Sequence, residues 1–290
     1  MPDKITELYG VSCNTETAWS TIIRTQQCPF LGRKCLKNRK SDSTQTIGTC
    51  TVVHKKVDVI ICPHRLLERR QIFFDCLHLL TIHEPGNELH VVSEISIPGG
   101  NVDYFLVSAY KRKIRDFVGI ELQTLDSTGS IWPARQAFAS KNGVKIPPSE
   151  LDNKKAFGMN WKMTAKTILV QLHHKIQTFQ YLNKHLAIVI QDHFLDYMQQ
   201  AFDFAHIKEA RLGDPMHFHI YSLERQENLY SLILKERIST DTEGIAKCLG
   251  LQANPNVELK ALFQLIESKL SNETLLKIAA PFPIIFYNDS

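Results

Sequence analysis

Glu121 and Gln123 stand two residues apart in the run DFVGIELQTL, and Asp103 precedes them in NVDYFLVSAY. Side chains on a strand alternate between faces, so Val118, Ile120 and Leu122 share one face and Glu121 and Gln123 the other. If the two runs form a hairpin centred on Arg112, Asp103 faces Glu121, with Cβ atoms about 4.5–5.5 Å apart. Two carboxylates at that distance repel each other unless a cation lies between them. Mg2+ suits such a pair, because it takes oxygen ligands, often one or two carboxylates, with water and a substrate phosphate completing the octahedron. Gln123 adds a carbonyl that can orient a bound water and an amide that can donate to a phosphate oxygen. Glu94, on the preceding run ELHVVSEISI, is a further candidate ligand or water-orienting group. The same pattern also fits the solvated face of an antiparallel sheet.

A second constellation is the set Cys28, Cys35, Cys50 and Cys62, four of the seven cysteines within a short basic stretch. In a reducing compartment such a cluster favours metal over disulfides. Tetrahedral thiolates suit Zn2+ or a single iron. The bound metal would organise a segment that lacks a core of its own, since binding free energy becomes folding free energy. His54 and His64 are possible substitute ligands, and four buried unpaired thiols are the alternative reading. Cys13, Cys76 and Cys248 read as small packing residues.

Several elements must position these groups. ETAWSTIIRT suits a short helix, while residues 24–63 are rich in Gly, Pro, Ser, Thr and Lys and show no sustained period. Residues 63–80 predict one helix, opened by Pro63 and carried by Leu66, Leu67, Phe73, Leu77 and Leu80. Three strands follow, the first with Leu89, Val91, Ile95 and Ile97 on one face. KMTAKTILVQLHHKIQTFQYL predicts an amphipathic helix with the stripe Ala165, Leu169, Leu172, Ile176 and Phe179. HLAIVIQ reads as a buried strand. MHFHIYSLE and LYSLILKERI read as a strand pair, and helices are expected near 241–249 and 256–271. The expected architecture is a mixed α/β or α+β core with helices around a sheet.

With 290 residues, 43% apolar and 22% charged, the chain can bury a substantial core. The opening MPDKITELYG has no basic or apolar region of a secretory signal, and no run is long enough for a membrane span, so the expected setting is the cytoplasm. Net charge is +4, yet residues 24–70 hold eleven Lys or Arg against three Asp or Glu. A basic segment joined to a mildly acidic body suits a phosphate backbone, or simply a solvated face. Lys34, Lys37, Arg39 and Lys40 are candidate phosphate contacts. Trp161 and Lys162, at the start of the amphipathic helix, read first as packing residues.

Taken together, CPFLGRKCLKNRKSDSTQTIGTCTV and VIICPHRL resemble the metal-binding region of the NotI-type type II restriction endonucleases. GGNVDYFLV with GIELQTLDSTGSIWP resembles their nuclease motif, and NWKMTAKTILVQL a later block, so the similarity runs through residues 24–175. The resemblance implies a PD-(D/E)xK fold: a central mixed sheet flanked by helices, with a small four-cysteine metal-binding module at 1–66 and a nuclease domain at 67–290. Asp103 and Glu121 match the two acidic positions, and Gln123 the place where many relatives carry Lys. Glu94 precedes them across a loop of variable length. The resemblance moves the expected metal of Cys28, Cys35, Cys50 and Cys62 to one iron, with zinc as alternative. It implies a Mg2+-dependent homodimer in a prokaryotic cytoplasm, cutting duplex DNA at a GC-rich palindrome. The rival readings are a non-catalytic, sequence-specific DNA-binding protein and a repair or homing-type nuclease.

Overall fold

The computed structural model describes residues 4–151 and 157–251, together with Gln264 and Ser268. Met1–Leu251 form one compact unit and Gln252–Ser290 another. The helix expected at 256–271 falls outside the described residues apart from those two positions.

The chain opens with β1 (Lys4–Leu8), β2 (Val11–Ser12) and α1 (Trp19–Thr25). With β3 (Thr49–His54) and β4 (Val57–Ile60) these strands form an antiparallel sheet in the order β2-β1-β3-β4. Ile5, Leu8, Val52 and Val59 on this sheet are buried in one cluster with Ile188 and Ile190 of the large sheet. The cysteine-bearing stretch therefore has a core after all, shared with the body of the molecule. The change of composition near residue 66 lies inside the first compact unit.

The single helix expected over 63–80 is broken. A 3-10 segment spans Pro63–Arg70, α2 covers only Gln71–Asp75, and a second 3-10 turn covers Leu77–Leu79. Glu68 is extended (φ −48, ψ 126) and Arg69 and Arg70 are left-handed. A tertiary bond explains the break: the Glu68 carboxylate accepts from the Leu232 N–H at 2.7 Å, and also from the neighbouring Arg65 guanidinium at 3.0 Å. A continued helix could keep the i,i+3 pair with Arg65 but would forfeit the bond to Leu232, and that tertiary contact outweighs local propensity.

Next come β5 (Glu88–Ile97), β6 (Gly100–Tyr110), β7 (Lys113–Leu122), α3 (Trp132–Lys141), α4 (Pro148–Leu151) and α5 (Trp161–Tyr181). The described part of the unit ends with β8 (His185–Gln191), α6 (Asp192–Ala201), β9 (Lys208–Glu209), β10 (Met216–Gln226), β11 (Leu229–Thr240) and α7 (Thr242–Cys248). The large sheet has seven strands in the order β9-β11-β10-β8-β7-β6-β5. It is mixed: β8 runs parallel to β7 and β10, and the remaining pairs are antiparallel. All seven residues of β8 are buried, as a parallel strand covered on both faces requires. The expected stripe of α5 is buried throughout, and it packs on one face of the sheet in the cluster that holds Val102, Phe105 and Ile188. The broken 63–80 segment covers the other face, against Leu106, Val118, Ile120 and Leu122.

The β6–β7 hairpin turns through Lys111 and Arg112, both at positive φ, which matches strand twist in a two-residue loop. An unpaired Arg115 then shifts the register between Ala109–Ile114 and Ser108–Asp116. Beyond that bulge the pairs are those of a hairpin centred on Arg112, through Val107–Phe117 to Tyr104–Ile120.

Buried polar contacts join the two sheets. Arg65, 1% exposed, donates to Glu7 of β1 at 2.8 Å and to the Tyr230 carbonyl of β11 at 3.1 Å. Gln191, at the end of β8, accepts from the Ile60 N–H and donates to the Asp58 carbonyl, so its amide continues the edge of β4.

Candidate active site

Asp103 and Glu121 follow the last ladder pair, Tyr104–Ile120, in the same register. On the other side of β6, the pairs Ser93–Tyr104 and Ile95–Val102 bracket Glu94 and Asp103. Three acids, Glu94, Asp103 and Glu121, thus stand in one row across three adjacent strands. The ladder opens at this row. Glu94 is left-handed (φ 55), and the Asp103 carboxylate takes the Leu122 N–H at 2.8 Å.

The left-handed Glu94 corrects the expected face of β5. His90 and Val92 line one apolar groove together with Ile95 and Ile97, so the strand changes parity at Glu94 and separates Leu89 and Val91 from Ile95 and Ile97. β5 is also the edge of the sheet, and Leu89, Val91, Val92 and Ile95 are 38–44% exposed.

Glu121 is buried rather than solvated, at 6% exposure. It points under α5, where Lys175 Nζ donates to its Oε1 at 2.6 Å. Burial outweighs this cation and raises the Glu121 carboxyl to about 7, with the Asp103 charge adding to the rise. Asp103 is likewise raised by burial, against the Leu122 N–H and Lys175, with Glu94 opposing its ionisation. Such an electrostatically loaded carboxylate cluster is a common mark of a functional site.

Gln123 extends β7 beside β8 through a bond from its N–H to the Val189 carbonyl, and its side-chain amide donates to the Thr124 carbonyl at 2.7 Å. It lines a cavity of about 420 Å3 whose other walls include Lys37, Cys62, His64 and Asp126. The cysteine-bearing stretch and the end of β7 therefore enclose this space together. His64 feels the charges of Asp103 and Glu94, and burial holds its imidazole below the ordinary value. Its Nδ1 is buried without a hydrogen-bond partner among the described residues.

Lys175 and His64 have no place at this site in the sequence pattern alone. Lys175 leaves a trace: it lies three residues after Leu172 and four before Phe179, inside the buried stripe of α5, where a charged side chain requires a partner. The partner is 54 residues away in sequence, beyond the reach of local pattern. His64 reads from sequence only as a substitute ligand for the thiol site; it does border Cys62, and its ring also feels the charges of the acidic row.

Cys28, Cys35, Cys50 and Cys62 are all buried and all free of disulfides. They are electrostatic neighbours: Cys28 senses Cys35, Cys50 senses Cys62 and Cys28, and Cys62 senses Cys35 and Cys28. Backbone amides of Leu31 and Phe30 donate to Cys28, that of Gly10 to Cys50 and that of His64 to Cys62. Burial pushes the Cys28, Cys50 and Cys62 thiols up, Cys62 to about 11, so thiolates at these three would need a cation. Among the described residues no three His, Cys, Asp or Glu side chains are gathered into a ligand geometry, around either the cysteines or the acidic row. The Glu121 carboxylate is instead bonded to Lys175 and that of Asp103 to the Leu122 N–H. His54 lies beside Trp161, ring centroids 6.5 Å apart. Cys76 and Cys248 are buried packing residues as expected, and Cys13 is half-buried.

The basic residues border the same region. Lys34 donates to the Thr44 carbonyl and Lys37 to the Ile61 carbonyl. Arg39 pairs with Glu150 at 2.6 Å and stacks over Trp132. Lys40 lines a second cavity, of about 470 Å3, with Ser130 and Trp132, and Lys37 lines both cavities. Trp161 packs against Tyr197, and Lys162 is exposed. No described helix is long and apolar enough to cross a membrane.

A family model described as restriction endonuclease NotI matches residues 24–231. That span contains the four cysteines, the acidic row and Lys175. A search of curated proteins found no match.

Proposed function

The chain belongs to the NotI restriction endonuclease family, a family of type II site-specific deoxyribonucleases, and from that premise we propose that it cuts duplex DNA by Mg2+-dependent hydrolysis at the row Glu94, Asp103 and Glu121. The observation that carries this reading is the row itself: three carboxylates in register on adjacent strands, two of them partly or wholly buried, with one lysine among them. Carboxylate oxygens offered from adjacent strands are the type of donor that a hard divalent cation takes. Asp103 and Glu121 would hold the Mg2+, which when bound polarises a phosphoryl oxygen and lowers the pKa of an attacking water. Glu94 and the Gln123 amide orient that water for in-line attack on the phosphodiester. A mixed sheet whose β6–β7 hairpin carries Asp103 and Glu121, followed by α5 and the buried strand β8, is consistent with a PD-(D/E)xK arrangement.

In the same reading Cys28, Cys35, Cys50 and Cys62 hold one iron, or zinc in its place. Backbone N–H groups aimed at three of the sulfurs support this, since they stabilise thiolate. The metal is structural. Lys34, Lys37, Arg39 and Lys40 contact the phosphate backbone beside it. Each chain has one acidic row and a duplex has two strands, so the working form is a homodimer on a palindromic site. The open, apolar edge of β5 is a suitable surface for the second copy. Preference for GC-rich sites, and action in the cytoplasm, follow from the family resemblance.

The deciding experiment digests unrelated duplexes with purified protein and Mg2+, then sequences the ends. Discrete fragments with common termini are expected. Asp103→Asn should abolish them while still retarding the same DNA in a gel. Wild-type protein that binds specifically but leaves every duplex intact would establish a DNA-binding protein instead.

A further inference from the structure

We propose that Lys175 is a positioning residue of the nuclease site, holding the Glu121 carboxylate in place and supplying from α5 the positive charge that Gln123 does not supply from β7. The inference rests on the hydrolytic reading above. Its first support is where the lysine sits. Thr164, Ile168, Leu172 and Phe179 line the buried stripe of α5, and Lys175 occupies the place in that series where an apolar residue is expected. Lys175 is 5% exposed, and among the described residues Glu121 is the one hydrogen-bond partner of its Nζ. A buried ammonium is retained against packing only where a specific partner compensates it.

Its second support is the seat built for it. The turn Pro98–Gly99–Gly100, which leads into Asp103, lies directly on this part of α5. Thr178 Oγ1 donates to the Pro98 carbonyl at 2.8 Å. A Cβ on Gly99 would stand 2.7 Å from the His174 carbonyl oxygen, and one on Gly100 would stand 3.3 Å from Lys175 Cε. Both glycines are also at positive φ, a region that L side chains disfavour. The two glycines let the turn close against the helix where the lysine leaves it. The distance from Lys175 to the acidic row is thus set by backbone contacts rather than by side-chain packing alone. A lysine that merely filled space would need no such seat.

The charge balance gives its third support. Glu94, Asp103 and Glu121 place three carboxyl groups in one row across adjacent strands. Gln123 carries no charge. Among the described residues Lys175 is the cation bonded to the row. It fixes one oxygen of Glu121 and leaves the other free to face metal and substrate.

The test compares wild type, Lys175→Met and the double variant Lys175→Met with Gln123→Lys, each measured for cleavage with Mg2+, for DNA binding with Ca2+ and for thermal unfolding. Lys175→Met should lower kcat by about 100-fold while the Kd for cognate DNA stays within about threefold, the signature of a group used in the reacting complex. Returning the charge through Gln123→Lys should recover at least about tenfold of that loss. Cleavage by Lys175→Met within about threefold of wild type would overturn the proposal, as would a folded double variant no faster than the single one. If Lys175→Met does not fold, the folded double variant alone decides: cutting supports the charge and silence overturns it. Failure of the wild type to cut would instead sink the hydrolytic reading.

Discussion

Glu94 lies across β5–β6 from Asp103, bracketed by the pairs Ser93–Tyr104 and Ile95–Val102, and it is the residue at which β5 becomes left-handed. A non-glycine residue at φ 55 inside a strand is uncommon, and such strain is often retained at functional sites. Glu94→Gln keeps the shape and removes the charge. Its kcat is expected to fall by about 10–100-fold, less than for Asp103→Asn, because the group acts on water or ligand orientation. Steady-state cleavage of a short cognate duplex measures both.

Metal analysis addresses the cysteines. Purified protein should contain about one metal per chain, iron with thiolate-to-iron absorption on the preferred reading. Zinc alone would exclude iron and keep the four-thiol site. Cys50→Ser should lose the metal together with much of the folded population, seen by circular dichroism, because binding energy is folding energy here. Full metal content in that variant would exclude Cys50 as a ligand.

Arg65 ties the two sheets together, by an ion pair to Glu7 of the small one and a hydrogen bond to the Tyr230 carbonyl of the large one. Arg65→Ala leaves Glu7, 2% exposed, without its cation, although Thr51 still donates to it. The expected loss is about 3–5 kcal/mol, the cost of stranding one member of a buried pair. Urea unfolding followed by tryptophan fluorescence gives the value, and a loss below about 1 kcal/mol would show that the sheets are held by apolar packing instead.

The histidines of β10 predict an acid-sensitive fold. Burial lowers His217 to about 4 and His219 to about 3, with His78, His185 and Arg237 opposing protonation. In the unfolded chain both return to about 6.5. Between these values the unfolded state binds more protons, so the contribution to stability is full above pH about 6.5 and is lost as pH falls toward 4. Melting temperature should fall over that window, and His219→Phe should reduce the slope by up to about one proton's worth, or 1.4 kcal/mol per pH unit. An unchanged slope would place the sensitivity elsewhere.

Salt dependence separates backbone contacts from solvated charge. Lys40→Ala should reduce the slope of log K against log salt by about one, with similar weakening on specific and random DNA. The cation–π pair of Arg39 with Trp132 makes Arg39→Ala less clean, since it also removes the Glu150 bond. A slope unchanged by Lys40→Ala would return that residue to the solvated surface.

Much of this arrangement follows from short-range pattern. Alternation along β7 separates Val118, Ile120 and Leu122 from Glu121 and Gln123, and a hairpin centred on Arg112 places Asp103 opposite Glu121. That register requires the Arg115 bulge, because the turn itself is centred between Lys111 and Arg112. The stripe of α5, the buried β8 and the β10–β11 pair are equally readable, since each depends on its own periodicity. Contacts between distant segments are not readable. Glu68 breaks a helical pattern to reach Leu232, β1 finds β3 across more than forty residues, and Lys175 answers Glu121 from another element. The parity change at Glu94 is invisible for a different reason: no glycine marks it.

The cavity beside Gln123 has one wall from the end of β7 and the other from Lys37, Cys62 and His64. The enclosure beside the end of β7 therefore exists only where the cysteine stretch is seated against the large sheet, whereas the bonds that hold Asp103, Glu121 and Lys175 lie wholly within the β6–β7 hairpin and α5.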